Sequence, residues 1–289
     1  MASVFSSALF QEKVTPQMLK EKYARGTIQI LVVPGHDNES YGAEFRGLTE
    51  ARVNAELGKY LYEFLRSDEK FIPFLTRNGA TGELNDWFLD YLKKERAQIS
   101  NFRKKVKSIT KNALQSGEIV RNIKVYHNPA ADNTSLNLYG INKWANENNI
   151  DIVVHIHFND YPGRVYNKPG EYSGFAIYVP ERQLPNSRAS IAIAQSVKET
   201  LVKFFKTSDF PKEQETIIQD QQLIAVGANA SREGASFLME YGYIYEPQIH
   251  DAKIRSVILK ELAYQTYRGI KNYFLENPEN ANTTLLPYH

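Results

Sequence analysis

Three apolar runs in this chain stop on residues that can bind metals, and together they limit what it can fold into. Ile28 to Val33 ends at Pro34-Gly35, which deliver His36. Ile150 to Ile156 runs into His155-Ile156-His157-Phe158-Asn159, and Phe237-Leu238-Met239 closes on Glu240. Runs this nearly continuous in apolar residues read as strands covered on both faces, which calls for helices on either side of the sheet.

The intervening segments supply those helices. After Thr49, placed to cap a helix, Val53, Leu57, Leu61, Phe64 and Leu65 recur at helical spacing. Further helices are expected over 84–115, 138–148, 187–205 and from Pro247 towards Phe274, with a helical turn opening at Thr15-Pro16. Further strands are expected over 71–75, 123–126, 175–179, 223–226 and 235–240. The fold class that follows is α/β: one domain with a mostly parallel or mixed central sheet, helices on both faces, and a helical insertion. Residues 1–26 read as an N-terminal arm, 27–276 as the α/β domain with about 78–137 inserted, and 277–289 as a tail.

Bulk properties exclude more than they identify. At 289 residues, 42% hydrophobic and net charge +2, the chain suits a well-cored globular protein with no strong overall electrostatic bias. Between Lys93 and Lys124 the basic residues far outnumber Glu95 and Glu118. Phe102 is the one aromatic residue among them, too few for a row of stacking platforms, so this reads as a solvated helical face and nucleic acid is not an expected partner. No run approaches the roughly 20 apolar residues of a membrane span. Met1-Ala2-Ser3-Val4-Phe5 has neither a basic leader nor a long apolar core, so no signal peptide is visible there.

The chain has no cysteine, so a metal would be held by His, Asp or Glu. His36, His157 and Glu240 fall at the carboxyl ends of expected strands, where open α/β sheets form their sites. Glu50 begins the helix after the first of them. His155 and His157, two apart, share one sheet face, so either could be a ligand with the other its hydrogen-bonding neighbour. Two histidines and a carboxylate make an open three-ligand zinc site, and a further carboxylate could serve as general base. Plainer roles exist for each: a turn residue at His36, a dipole-favoured first-turn acid at Glu50, a core histidine at His155. Glu240 resists such a reading, because a buried carboxylate without a partner costs several kcal/mol. His127, His250 and His289 have no partner at suggestive spacing and read as surface.

Arranged in order, these motifs resemble the zinc-dependent N-acetylmuramoyl-L-alanine amidases, a family of peptidoglycan hydrolases. The opening strand with Pro-Gly-His, then Gly42-Ala43 and Gly47-Leu48-Thr49-Glu50 with Val53-Asn54, match the family's first motif. Phe74-Leu75-Thr76-Arg77, His155-Ile156-His157-Phe158-Asn159, Gly174 to Tyr178, and Leu238-Met239-Glu240-Tyr241-Gly242-Tyr243-Ile244 follow in the expected order. The resemblance implies zinc held by His36, Glu50 and His157, Glu240 as general base, and His155 and Asn159 as neighbours of the ligands. It further implies hydrolysis of the amide between N-acetylmuramic acid and L-alanine in cell-wall peptidoglycan. With it come a periplasmic, wall-associated or secreted location, a protein activator, and a monomeric enzyme. The chain departs from the family in the loop Asp37-Asn38-Glu39-Ser40, in His155 where a serine is usual, and in the long 78–137 segment. Another zinc peptidase or amidohydrolase on a similar scaffold, or a non-catalytic wall-binding regulator, are the competing readings.

Overall fold

A computed structural model describes residues 10–127, 129–160 and 163–276. Its centre is a six-stranded sheet in the order β4-β1-β5-β8-β6-β7. These strands are β1 (Ile28–Pro34), β4 (Phe71–Leu75), β5 (Ile152–Asn159), β6 (Ala176–Pro180), β7 (Ile217–Asp220) and β8 (Ala235–Tyr243). A separate short ribbon pairs β2 (Glu44–Phe45) with β3 (Leu48–Thr49). The strands β4, β1, β5 and β8 run parallel, while β6 opposes β8 and is parallel to β7. The carboxyl ends of β1, β5 and β8 therefore lie side by side at one edge.

The apolar strands are explained by what covers them. Ile30, Val32, Ile152, Val154 and Ile156 face α2 (Glu50–Arg66), α6 (Ser187–Leu201) and α8 (Ala252–Leu275), in a core that also takes Leu19 of α1 (Pro16–Arg25). Leu31, Val33 and Val153 face the other way, onto α3 (Asp86–Lys94), α4 (Arg96–Ser116) and α5 (Asp132–Glu147). The expected insertion is thus part of the second covering layer of the sheet. Ile99, Val106 and Ala113 bury one stripe of α4, while Lys104, Lys105, Lys107 and Lys111 are exposed. Phe88 of α3 is only 1% exposed within this core.

Two expected strands do not form. Ile123–Tyr126 is a loop with Ile123 and Tyr126 exposed, and only Val125 turned into a small cluster over Tyr178 and Ile218. The strand expected at 223–226 is displaced to β7, because the Asp220 carboxylate accepts the Gln222 and Leu223 amides and turns the chain. Ala225 and Val226 then cap the sheet face instead of pairing with it. The helix expected from Pro247 is two helices, α7 (Pro247–His250) and α8, with Asp251 between them capping α8 by accepting the Lys253 amide. Similarly, the helix expected over 84–115 breaks at Glu95, which lies between α3 and α4. Among the described residues no helix is long and apolar enough to cross a membrane.

Phe88→Ala should therefore destabilise the whole domain by about 3–5 kcal/mol in urea unfolding, the usual loss for a buried phenylalanine. A loss below about 1 kcal/mol would mean that the inserted helices are not part of the core.

Candidate metal centre

The opening motif works through backbone geometry. Gly35 continues β1 by donating its amide to the Ile156 carbonyl, and His36 then adopts a left-handed conformation with φ 62°. A non-glycine residue there is uncommon and held only by its surroundings. His36 Nδ1 lies 3.1 Å from the Ser40 carbonyl, the contact of a ring N–H donating outward, which turns Nε2 inward. The rim loop is closed by the Asp37 carboxylate, which accepts the Glu39 and Ser40 amides.

Glu50 opens α2 one turn away, and its carboxylate is the centre of the site. Oε2 lies 3.2 Å from His36 Nε2 and accepts the Ala43 amide at 2.9 Å. Oε1 lies 2.9 Å from His157 Nδ1 and accepts from the Phe158 amide at 3.2 Å and Asn54 Nδ2 at 3.3 Å. Thr49 occupies the capping position but makes no side-chain cap bond; the Glu50 amide instead donates to the Ala43 carbonyl, joining the helix start to the loop. The potential ligand atoms of His36, Glu50 and His157 all lie within 4.8 Å of one another. They form the one such cluster among the described residues, and it includes nothing from 78–137.

Two glycines shape the cradle. A Cβ on Gly35 would lie 2.2 Å from the His157 ring, and one on Gly42, at φ +72°, would lie 2.3 Å from Glu50 Oε2. Behind them, buried Arg77 donates from one guanidinium nitrogen to the Gly35 and Ala51 carbonyls and from others to Gly82. Asn54 also donates to the Gly35 carbonyl. The turn that presents His36 is therefore tied to α2 and to the end of β4. Burial pulls the Arg77 guanidinium down to about 10, still high enough for it to be charged at neutral pH.

The electrostatics follow from one carboxylate between two imidazoles. Burial pushes Glu50 up, but the hydrogen bonds and charges of His157 and His36 outweigh it and hold Glu50 well below the usual carboxylate range. Burial pulls His36 down, and Glu50 more than reverses this, leaving it above its ordinary value. For His157 burial prevails and the net shift is downward. A buried carboxylate and two half-buried imidazoles, with no thiolate nearby, are a nitrogen-and-oxygen donor set that fits zinc.

Glu240 stands directly across from His157 in the β5–β8 register. Its Oε2 is buried with no partner among the described residues. Burial, then the charges of Glu50 and Glu213, raise its proton affinity well above that of an ordinary carboxyl group. Glu213 is a residue that the sequence did not single out. It accepts from Asn159 Nδ2, the Tyr178 hydroxyl, Ser208 Oγ and the Tyr243 hydroxyl.

The remaining candidates fall elsewhere. Asn159, expected beside the ligands, donates to Glu213 instead. His155 is 1% exposed, neither ring nitrogen has a partner among the described residues, and burial with the His157 charge pushes it down to about 3. It sits one layer beneath His157, in register with Val33 and Leu238, and outside the ligand cluster. His127 is not a free surface residue: Nε2 meets buried Asp220 at 2.7 Å. His250 packs edge-on against Phe45, and His289 lies outside the described residues. Asn54 carried a legible signal, since it lies one turn after Glu50 on the same helix face.

A sheet whose carboxyl edge gathers two histidines and two glutamates makes this an α/β protein with a candidate metal site where such folds bind their ligands. The family model for N-acetylmuramoyl-L-alanine amidase matches residues 100–272, more than half of the chain. The chain belongs to the N-acetylmuramoyl-L-alanine amidase family, enzymes that hydrolyse the amide joining N-acetylmuramic acid to L-alanine in peptidoglycan. That match includes His157 and Glu240 and begins after His36 and Glu50. Among solved structures, the CwlD amidase from Clostridioides difficile, in complex with the GerS lipoprotein, aligns with TM-score 0.55 at 15% identity, covering 86% of this chain and 99% of that one. AmiC2 of Nostoc punctiforme aligns with TM-score 0.52 at 17% identity, covering 87% and 99%. Ami1 from Mycobacterium smegmatis aligns with TM-score 0.51 at 14% identity, again over 87% and 99%. At these identities the likeness is one of fold. No curated protein matches the sequence significantly.

Gly35→Ala should leave the helical content unchanged and weaken zinc binding by about 10- to 100-fold, the usual effect of disturbing a ligand's support. Competition titration against a chromophoric chelator measures this, and unchanged affinity would contradict the cradle.

Proposed function

We propose that this chain is a zinc-dependent peptidoglycan amidase in which His36, Glu50 and His157 hold the metal and Glu240 is the general base. The observation that carries the reading is the convergence of those three donors beside a strand-paired glutamate whose buried Oε2 has no partner among the described residues. Zinc, when bound, supplies Lewis-acid polarisation of the substrate carbonyl and lowers the pKa of water towards roughly 7.

The protein's own residues do the rest. Glu240 takes a proton from the attacking water as the new bond to the lactyl carbonyl carbon forms. It then returns that proton to the departing nitrogen of L-alanine as the C–N bond breaks. A site that raises its proton affinity suits the first transfer. His36 stays oriented through the Ser40 carbonyl, and Glu50 through Ala43, Phe158 and Asn54. The products are a lactyl carboxylate on the glycan and a stem peptide with a free L-alanine amino terminus.

The substrate lies in the cell wall, so an extracytoplasmic location, periplasmic, wall-associated or secreted, belongs to the same reading. The CwlD amidase was solved with the GerS lipoprotein, and we extend the reading to a protein activator acting on a monomeric enzyme. Residues 27–276 form the catalytic domain in this scheme, with 78–137 as its added element.

Glu240→Gln should retain zinc and lose at least about 100-fold in kcat, within the range for removing a general base. The readouts are metal analysis of the variant and mass identification of peptides released from peptidoglycan by the native enzyme. Turnover at the native rate in the variant would remove Glu240 from its role. Release of internally cleaved peptides would replace amidase chemistry with peptidase chemistry.

A further inference from the structure

The residue after His36 begins a groove of about 490 Å³ that the reaction as described above does not use. It is lined by acids, Asp37 and Glu39 from the rim loop and Glu83 from the turn after β4, and by bases, Lys93 at the end of α3 and Arg96 at the start of α4, together with Leu89.

Among the acids, Glu83 Oε1 accepts from Asn38 Nδ2 at 3.2 Å, tying the rim loop to the turn. Arg77 secures that turn through Gly82 and the rim through Gly35. Near the bases, Lys143 of α5 meets Glu95 at 3.1 Å, anchoring the break between α3 and α4 from which Lys93 and Arg96 project. The Arg96 guanidinium reaches only the Asn133 side-chain oxygen, at 3.4 Å, and Lys93 is exposed with no ion pair among the described residues. Cationic groups without carboxylate partners among the described residues, lining the same groove as Glu39 and Glu83 beside the His36 loop, are complementary to a ligand that carries both charges.

We infer that this groove binds the stem peptide beyond its L-alanine, taking a peptide that bears both a free carboxylate and a free amino group. The carboxylate is received by Lys93 and Arg96, and the amino group by Glu39 and Glu83. The inserted helices thus contribute substrate-binding residues in addition to their core. The inference rests on the amidase reading for the identity of the peptide, while the charge complementarity is a property of the groove.

The test is calorimetric titration of the zinc-loaded chain with free stem tripeptide, which needs no turnover. The native protein should bind it, and the Lys93→Glu/Arg96→Glu double variant should bind about 10-fold or more weakly at low salt, with the difference shrinking as salt screens the contacts. Amidating the peptide's carboxylates should weaken binding to the native protein and leave the double variant little changed. Equal affinity of native and variant proteins, equal affinity for charged and amidated peptides, or no binding to the native protein would each overturn the proposal. A failure of the amidase reading shows separately, as released peptides that lack an L-alanine amino terminus.

Discussion

One buried carboxylate carries the rest of this structure. Glu50 is 4% exposed, and an ionised carboxylate withdrawn from water needs compensating partners for each oxygen. Oε1 and Oε2 divide between them two backbone amides, one side-chain amide and two imidazoles. These five partners come from four elements: the β1 turn, the loop before β2, the strand β5, which gives both His157 and Phe158, and α2 itself. Glu50 raises the proton affinity of His36, so a cation taken up at this cluster would compete with a proton there.

The same arrangement explains why the polar centre sits on an apolar scaffold. The sheet is covered on both faces, so its side chains are committed to packing until the strands end. Chemistry-bearing residues can therefore emerge only at the carboxyl edge, where β1, β5 and β8 stop next to one another. His157 and Glu240 are brought side by side by strand register. His36 and Glu50 meet because Gly35 and Gly42 leave room and Arg77 ties the turn down. The segment 78–137 completes the second helical layer, and its Glu83, Lys93 and Arg96 line the groove that opens beside His36.

Much of this was legible in the residues, for identifiable reasons. The strands β1, β5 and β8 were readable because burial on both faces leaves a near-continuous apolar run. The candidate residues at the sheet's carboxyl edge were readable because Pro-Gly ends such a run abruptly and because His-x-His shares one face. Ile123–Tyr126 and Leu223–Val226 were misread for one reason: short apolar stretches that cap a sheet face look like strands that join it. What turned the second was the Asp220 carboxylate, a local hydrogen-bonding effect with no periodic signature. Glu213 and the His127–Asp220 pair could not be foreseen, since their partners lie dozens of positions away on other elements. The position of His155 was equally hidden, because its spacing from His157 gives the shared face but not which of the two reaches the edge.

The account stands on Glu50 joining exactly two histidines around one metal, and X-ray absorption at the zinc edge of the loaded protein tests that most directly. It predicts a first shell of nitrogen and oxygen only, with outer-shell scattering from two imidazoles, and loss of the bound zinc in Glu50→Ala. Scattering from a third imidazole would bring His155 into the ligand set, and full zinc retention without Glu50 would contradict the account.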